Sequence, residues 1–484
     1  MKKIKYTFYT LLTLAIIGVS NSCTNLVDDV TSDPDNLLTQ DVDSKNVLQG
    51  VLLDAQFFQT SSGVRTAAMW LNQATGSDRQ YVTVENWNNA TTGDFDDTWR
   101  VGFNAFKSAK DLQVKADKEF NYKHKAVGQI MEAYAVGTLT SLFGDIPYSE
   151  FDITGQNLTP KFDKQTDVYS KLQLVLDDAI ANMGKAGKFA GDKDIFYGGS
   201  TSKWINLAYS LKARYYLHVK NYPMAKTNAL MGIDSESGDM VAKFGSVYGQ
   251  SFNPWGSFMD YDRAGYLTAE NSYGVSLLNP TSSQYRGNSK TDETARFEFN
   301  YFNDDFYYGV GWSLNYFSLA DGWGEAGKFG VDTNMPLVTY GEALLIAAEA
   351  DARISGISAG VTSYNKYRQL LSTGYGLTSD YSGRALMYDD YTEADFNNGG
   401  LENTDGKTAV NALLREIYQE RYVYFLGYFE SFTDFGRTNN IAEIKLKSYN
   451  GTPQRFLYSQ VEINANPNVP SPLPKVTDKT TVNN

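Results

Sequence analysis

Lys203–Ile233 reads KWINLAYSLKARYYLHVKNYPMAKTNALMGI, and its spacing decides the fold class. Trp204, Leu207, Ala208 and Leu211 fall on one face of a helix, as in the first helix of a tetratricopeptide unit. Pro223 suits the first turn of a second helix, because its missing N–H costs nothing there. Ala225 and Ala229 are small enough to let that helix lie close against the first. The stretch therefore predicts a helical hairpin with Trp204 in its core.

Working outward, the same texture returns. TYGEALLIAAEADARISGISAGVTSYNKYRQL, from Thr339, places Ala347 and Ala348 ahead of a break at Ser355-Gly356, which predicts a second hairpin. Val47, Val51, Ala55 and Phe58 make a buried stripe from about Lys45. Val127, Ile130, Met131, Tyr134, Thr138 and Leu142 make another from about Lys123, which Gly144 and Pro147 should end. AVNALLREIYQERYVYFLGYFESF, from Ala409, reads as one long helix with Leu413, Ile417, Glu420, Tyr424 and Tyr428 on its stripe. The chain is mainly all-α on this reading. The 34-residue repeat is only partly met, so generic helix packing accounts for the hairpins nearly as well.

Residues 244–329 differ. They hold 21 Phe, Tyr and Trp residues among Gly, Asn, Ser and Asp. Disordered segments are poor in aromatics, whereas aromatic loops on a rigid scaffold build ligand surfaces.

The chain carries a net charge of −13, with two histidines and one cysteine. An acidic chain without a basic cluster repels phosphate backbones, so no nucleic acid is expected. His124 and His218 are too few for a usual zinc or copper site, and no metal ligand set or cofactor motif stands out. Calcium on carboxylates and carbonyls stays open. Lys2, Lys3 and Lys5 precede an apolar run, Tyr6 to Val19, too short to span a bilayer comfortably. Ser20-Asn21-Ser22-Cys23 then has the small residues of a lipoprotein cleavage site, so Cys23 is expected to carry lipid. The expected organisation is a signal peptide over 1–22, an anchor and tether over 23–43, and one ligand-binding domain over 44–484. Loop insertions are expected at about 61–102 and 233–335.

Catalytic signals are absent. Acidic pairs arise by chance among 56 Asp and Glu, and Glu342 and Glu349 suit a solvated or salt-bridged helix face. GGLENTDGKTAV, from Gly399, mimics a phosphate loop, but five residues separate Gly400 from Gly406 where four are needed. No His-Glu-x-x-His helix occurs, and the Gly-x-Ser-x-Gly string Gly356–Gly360 falls at the break of the second predicted hairpin rather than on a strand-to-helix elbow.

Phe143-Gly144-Asp145-Ile146-Pro147-Tyr148, Trp204 to Arg214, TYGEALLIAAEA, REIYQERYVYFLG from Arg415 and the tail TPQRFLYSQVEINANPNVP from Thr452 together resemble a SusD/RagB-type nutrient-binding lipoprotein of the Bacteroidetes outer membrane. The acidic pair Asp28-Asp29 resembles signals that send such lipoproteins to the cell surface. The resemblance implies tetratricopeptide-like hairpins with long inserted loops, and a lipid-tethered, non-catalytic protein facing the cell exterior. It also implies a glycan or sometimes a peptide ligand, and a SusC-like TonB-dependent transporter as partner.

Sugar rings are held by flat aromatic faces and bidentate polar groups. Following the resemblance, one candidate region offers Trp70, Tyr81 and Trp87 with Asn72, Gln73, Asp78, Arg79 and Asn88. The other offers Trp255, Tyr261, Arg263, Tyr266, Tyr285, Arg286, Trp312, Tyr316 and Trp323. Glycan capture is the leading expectation, with oligopeptide binding, a surface glycan hydrolase and a purely structural scaffold as alternatives.

Overall fold

The computed structural model describes residues 42–484 apart from 306–308 and 310. The leader, Cys23 and most of the tether lie outside the described residues. Helix α1 (Ser44–Phe58) starts where the periodicity starts, and Asp43 caps it by accepting from the Asn46 amide at 2.9 Å. Two shorter helices follow, α2 (Ser62–Trp70) and α3 (Arg79–Glu85). The first expected loop insertion is therefore largely helical, which matters for the tryptophan at its start.

Helices α4 (Asp96–Lys118) and α5 (Tyr122–Phe143) lie along one another. Every residue of α5 from Ala126 to Phe143 is buried, its polar members by pairing: Glu132 accepts from Gln113 at 2.7 Å and from the Tyr148 hydroxyl at 2.8 Å. Its neighbours come so close that α5 needs glycine at two contacts. A methyl group at Gly128 would sit 2.8 Å from the Ala109 carbonyl of α4, and one at Gly137 would sit 2.2 Å from the Tyr215 ring. Gly144, at φ 80°, ends the helix as its spacing implies.

Helix α6 (Gln165–Met183) leads to the hairpin of α7 (Thr201–His218) and α8 (Tyr222–Ala229). Pro223 lies in the first turn of α8, and Asn221 accepts from the Met224 amide at 3.3 Å. Trp204 is fully buried and donates to Asp194 at 2.8 Å. Within the insertion, α9 (Tyr273–Leu278) and α10 (Thr294–Asn300) are short. The second hairpin is α11 (Tyr340–Ser355) and α12 (Ile357–Leu371), broken at Gly356. It stacks on the first through Ala213, Leu217, Ala225, Ala229 and Ile346. The two hairpins are neighbours in space although the whole insertion separates them in the chain.

The expected long terminal helix is two: α13 (Ala409–Tyr424) and α14 (Phe429–Thr438). Gly427 turns the chain at φ 82°, and Phe329 of the insertion packs so tightly there that a methyl group would lie 2.7 Å from its ring.

The described residues include ten short strands in five antiparallel pairs. The strands are β1 (Thr75–Gly76), β2 (Ile146–Pro147), β3 (Phe162–Asp163), β4 (Met240–Ala242), β5 (Leu267–Thr268), β6 (Thr291–Asp292), β7 (Tyr301–Asn303), β8 (Trp312–Leu314), β9 (Met335–Val338) and β10 (Met387–Tyr388). The pair β4–β9 fastens the two ends of the insertion together, and β1–β5 ties the insertion to the loop after α2.

Glu342 and Glu349 are salt-bridged, as one of the two readings has it, but buried rather than on a solvated face. Arg214 donates to Glu342 at 2.7 and 2.6 Å and to Glu430 at 2.8 Å, linking α7, α11 and α14. Arg437 grips Glu349 with two bonds of 2.7 Å. The C-terminal tail returns over the body, where the Phe456 amide donates to Leu142 at 2.9 Å and its ring is fully buried.

Candidate ligand-binding surface

The short β1–β5 pairing decides which predicted residues meet. The Ser77 and Asp78 amides donate to the Tyr266 carbonyl at 2.9 and 3.3 Å. This brings Asp78 and Arg79, from the first region, beside Arg263 and Tyr266 of the second. Asp78 and Arg79 are exposed and 3.6 Å apart, and the Arg263 guanidinium lies 5.9 Å from the Tyr266 ring centre. The Ala269 amide donates to the Trp312 carbonyl at 2.8 Å, so partly exposed Trp312 joins the same neighbourhood. Tyr81 lies beneath it, 8% exposed, with its hydroxyl accepting from Arg65 at 2.9 Å.

Immediately before Arg263, a single π-turn (Ser257–Asp262) projects Tyr261. Tyr261 is 45% exposed and stacks on Tyr248, 57% exposed, with ring centres 5.1 Å apart and planes 29° from parallel. Phe252 closes the group edge-on at 5.3 Å. The Tyr248 hydroxyl donates to Asp262 at 3.3 Å. The Tyr261 hydroxyl donates to Asp321, whose carboxylate pushes the phenol up to about 12. This bond ties the turn to the loop that carries Trp323, itself stacked on Phe317 at 4.6 Å. Tyr248 and Phe252 are the residues that reading the sequence missed. Their signal was a pair of aromatics among small polar residues, Ser246-Val247-Tyr248-Gly249-Gln250-Ser251-Phe252.

Several expected ligand contacts lie in the core instead. Trp70 ends α2, is fully buried and donates to the Val84 carbonyl at 2.8 Å, with Phe95, Phe432 and Phe456 around its ring. Trp255 is fully buried against Phe329 at 4.8 Å. Trp87, buried, packs edge-on to Tyr449 and donates to the Asn450 carbonyl at 2.9 Å. Tyr316 is buried and donates to Asp304 at 2.9 Å. The side-chain amides of Asn72 and Gln73 donate to the Lys445 and Tyr422 carbonyls at 2.8 and 2.7 Å. None of these side chains presents a face to a ligand.

Arg286 is likewise a structural cation. It donates at 2.7 Å to each of Glu293, Glu416 and Glu420, and the attraction of these carboxylates holds its charge against burial. The Tyr285 hydroxyl accepts from the Glu293 amide at 2.9 Å, covering that cluster. Asn88 is exposed but stands apart, with its amide donating to the Asn450 carbonyl at 3.1 Å. Both histidines pair inside the fold: His124 with Ser44 at 2.7 Å and His218 with Tyr169 at 2.9 Å. Among the described residues no group of three His, Cys, Asp or Glu is placed to hold a metal ion, and no helix is long and apolar enough to cross a membrane.

The stacked-hairpin scaffold ties an aromatic insertion to one loop and sets exposed aromatic rings near charged side chains. The geometry suits flat, hydroxyl-bearing ligands, because stacked rings offer apolar faces while Asp-Arg pairs accept and donate beside them. The chain belongs to the SusD/RagB family of outer-membrane nutrient-binding proteins: the SusD-like family described as "Starch-binding associating with outer membrane" matches residues 45–458. Binding proteins of this family are non-catalytic.

Solved structures share the fold. A SusD/RagB family protein from Bacteroides thetaiotaomicron is 19% identical, with 91% of this chain and 99% of that chain covered at a TM-score of 0.63. A SusD homolog from Bacteroides uniformis is 17% identical, covering 90% and 98% at 0.62. A chitin-binding SusD homolog from Flavobacterium johnsoniae is 16% identical, covering 91% and 98% at 0.65. No curated protein matches the chain.

Proposed function

We propose that this protein captures glycans at the cell surface and passes them to a SusC-like TonB-dependent transporter of the outer membrane. On this reading residues 1–22 are a signal peptide, Cys23 carries the lipid that holds the protein to the membrane, and 44–484 form the binding domain facing the exterior. The observation that carries the ligand assignment is the exposed stack of Tyr248 on Tyr261 beside Asp262, Arg263 and Asp321. Exposed, parallel aromatic rings are left in water at a cost unless something covers them, and a sugar ring's C–H face matches their shape. The family description and the chitin-binding relative support a glycan over a peptide. Handover requires release, so many modest contacts suit the task better than one tight anchor.

A panel of starch, chitin and other oligosaccharides, with oligopeptides alongside, titrated calorimetrically into the full chain in detergent, tests this. Saturable binding of one glycan class that falls at least tenfold in Tyr261→Ala and in Tyr248→Ala is the expected result. Binding of peptides alone would replace the glycan with a peptide ligand. Co-purification with an outer-membrane transporter, lost in Cys23→Ser, tests the partner and the anchor together.

A further inference from the structure

Beneath the loop that carries Asp321 and Trp323 lies a cavity of about 430 Å³ between the insertion and helices α12 and α13. Phe299, Phe329, Phe425 and Tyr428 are among its walls, and exposed Leu319 and Glu236 stand at its mouth. Lys328 also lines it, with Nζ 5.7 Å from the Tyr428 ring centre. Among the described residues no carboxylate pairs with this ammonium, and the neighbouring charge is another cation, Arg296, already bound to Glu293 and Glu420. Desolvation in this setting lowers the lysine to about 7.

Of the acids lining the cavity, Asp239 and Asp332 are engaged elsewhere, and Glu236 stands exposed to solvent at the mouth. Asp239 accepts from the Tyr375 hydroxyl at 2.6 Å and from the Tyr340 amide at 2.7 Å. Asp332 accepts from Ser318 at 3.0 Å and from the Ala320 amide at 3.2 Å. What remains is an aromatic chamber with one unpaired lysine on its wall, a cation below about pH 7. A lone cation suits a monoanion, because a phosphate recruits several donors. The volume calls for a carbon skeleton rather than a bare ion, and the aromatic walls suit a sugar ring.

We propose that the cavity is a second, internal site for an acidic sugar, with Lys328 pairing to the carboxylate of a uronic acid unit. The choice of a sugar as carrier rests on the glycan reading of the surface, whereas the choice of a carboxylate rests on the cavity alone.

The test is calorimetric titration of the full chain with D-glucuronate, its methyl ester, D-glucose and phenylalanine. Glucuronate is expected to bind saturably and at least tenfold tighter than the ester or glucose. Lys328→Met should erase that preference and Lys328→Arg should keep part of it. An ester that binds as well as the acid overturns the proposal, as does a preference that survives Lys328→Met or phenylalanine outcompeting glucuronate. If Lys328→Met does not fold, the acid-against-ester comparison on the unaltered chain still decides. Failure here with neutral oligosaccharide binding intact removes this site alone. Loss of the surface reading would instead appear as neutral-glycan binding that ignores Tyr248 and Tyr261.

Discussion

The helical hairpins and the aromatic insertion use the same residue types to opposite ends. In the scaffold Trp204 is buried and its one polar atom is satisfied by Asp194. In the insertion Tyr261 stands nearly half exposed with its hydroxyl tied to Asp321. An aromatic side chain becomes core or surface according to what the rest of the chain places around it, and its type does not decide. Substitutions should therefore separate the two regions, with stability failing in one and affinity failing in the other.

The largest effect is expected at the scaffold's buried charges. Arg214→Met strands Glu342 and Glu430, both buried, without their cation. Breaking one partner of such a group costs about 3–5 kcal/mol, so urea denaturation should show a loss of that size or a chain that no longer folds. Trp70→Ala belongs in the same class despite its position ahead of the binding loop. Emptying a fully packed Trp site costs about 3–5 kcal/mol, whereas Tyr261→Ala should change stability by less than about 1 kcal/mol while weakening glycan binding. Equal destabilisation by both would erase the contrast between core and surface aromatics.

How far the sequence reveals this contrast follows from the range of the contacts involved. The hairpins were legible because a helix stripe is a local pattern, and Trp204, Ala225 and Ala229 carry it within a few residues. The terminal stretch reads as one helix because a single Gly is tolerated in a helical pattern; in the structure Gly427 turns the chain at φ 82°, with Phe329, a partner distant in the chain, packed against it. Trp70 and Trp255 looked like platforms for the same reason. Their covering rings, Phe456 and Phe329, are distant in the chain. Arg286 resembled a sugar-binding guanidinium until three glutamates from two other segments closed on it. Asp78, Arg79, Arg263 and Tyr266 were legible as types, but only the β1–β5 pairing places them side by side.

The cavity gives a pH-dependent version of the comparison. Burial raises Asp239 to about 7 and lowers Lys328 to about 7. Between about pH 4 and 7 the unfolded chain has lost the Asp239 proton that the folded chain keeps, so stability falls as pH rises. Between about 7 and 10 the unfolded chain keeps the Lys328 proton that the folded chain has shed, so stability rises with pH. Together these two groups give a minimum near neutrality, readable in melting temperature across buffers with the cavity empty. Asp239→Asn should flatten the acid arm and Lys328→Met the alkaline arm. A profile unchanged in both variants would mean that the cavity is wetter than its walls imply.

The smallest effect is the sharpest discriminator, and it lies at Arg79. This residue takes φ 51°, a left-handed conformation that L side chains pay for. It also places a cation at the first position of α3, against the helix dipole. Its visible compensation is the exposed pair with Asp78, and such pairs contribute little. Two local rules broken at one exposed position make Arg79 a candidate for contact with something outside the fold. Arg79→Gly removes the strain while adding freedom to the unfolded chain, so the net change should be about 0–1 kcal/mol toward greater stability. Glycan affinity should fall at the same time, because the exposed guanidinium fork paired with Asp78 is gone. Stability and affinity moving in opposite directions would separate a binding residue from a packing residue at one position. A variant that loses stability with affinity unchanged would return Arg79 to the scaffold.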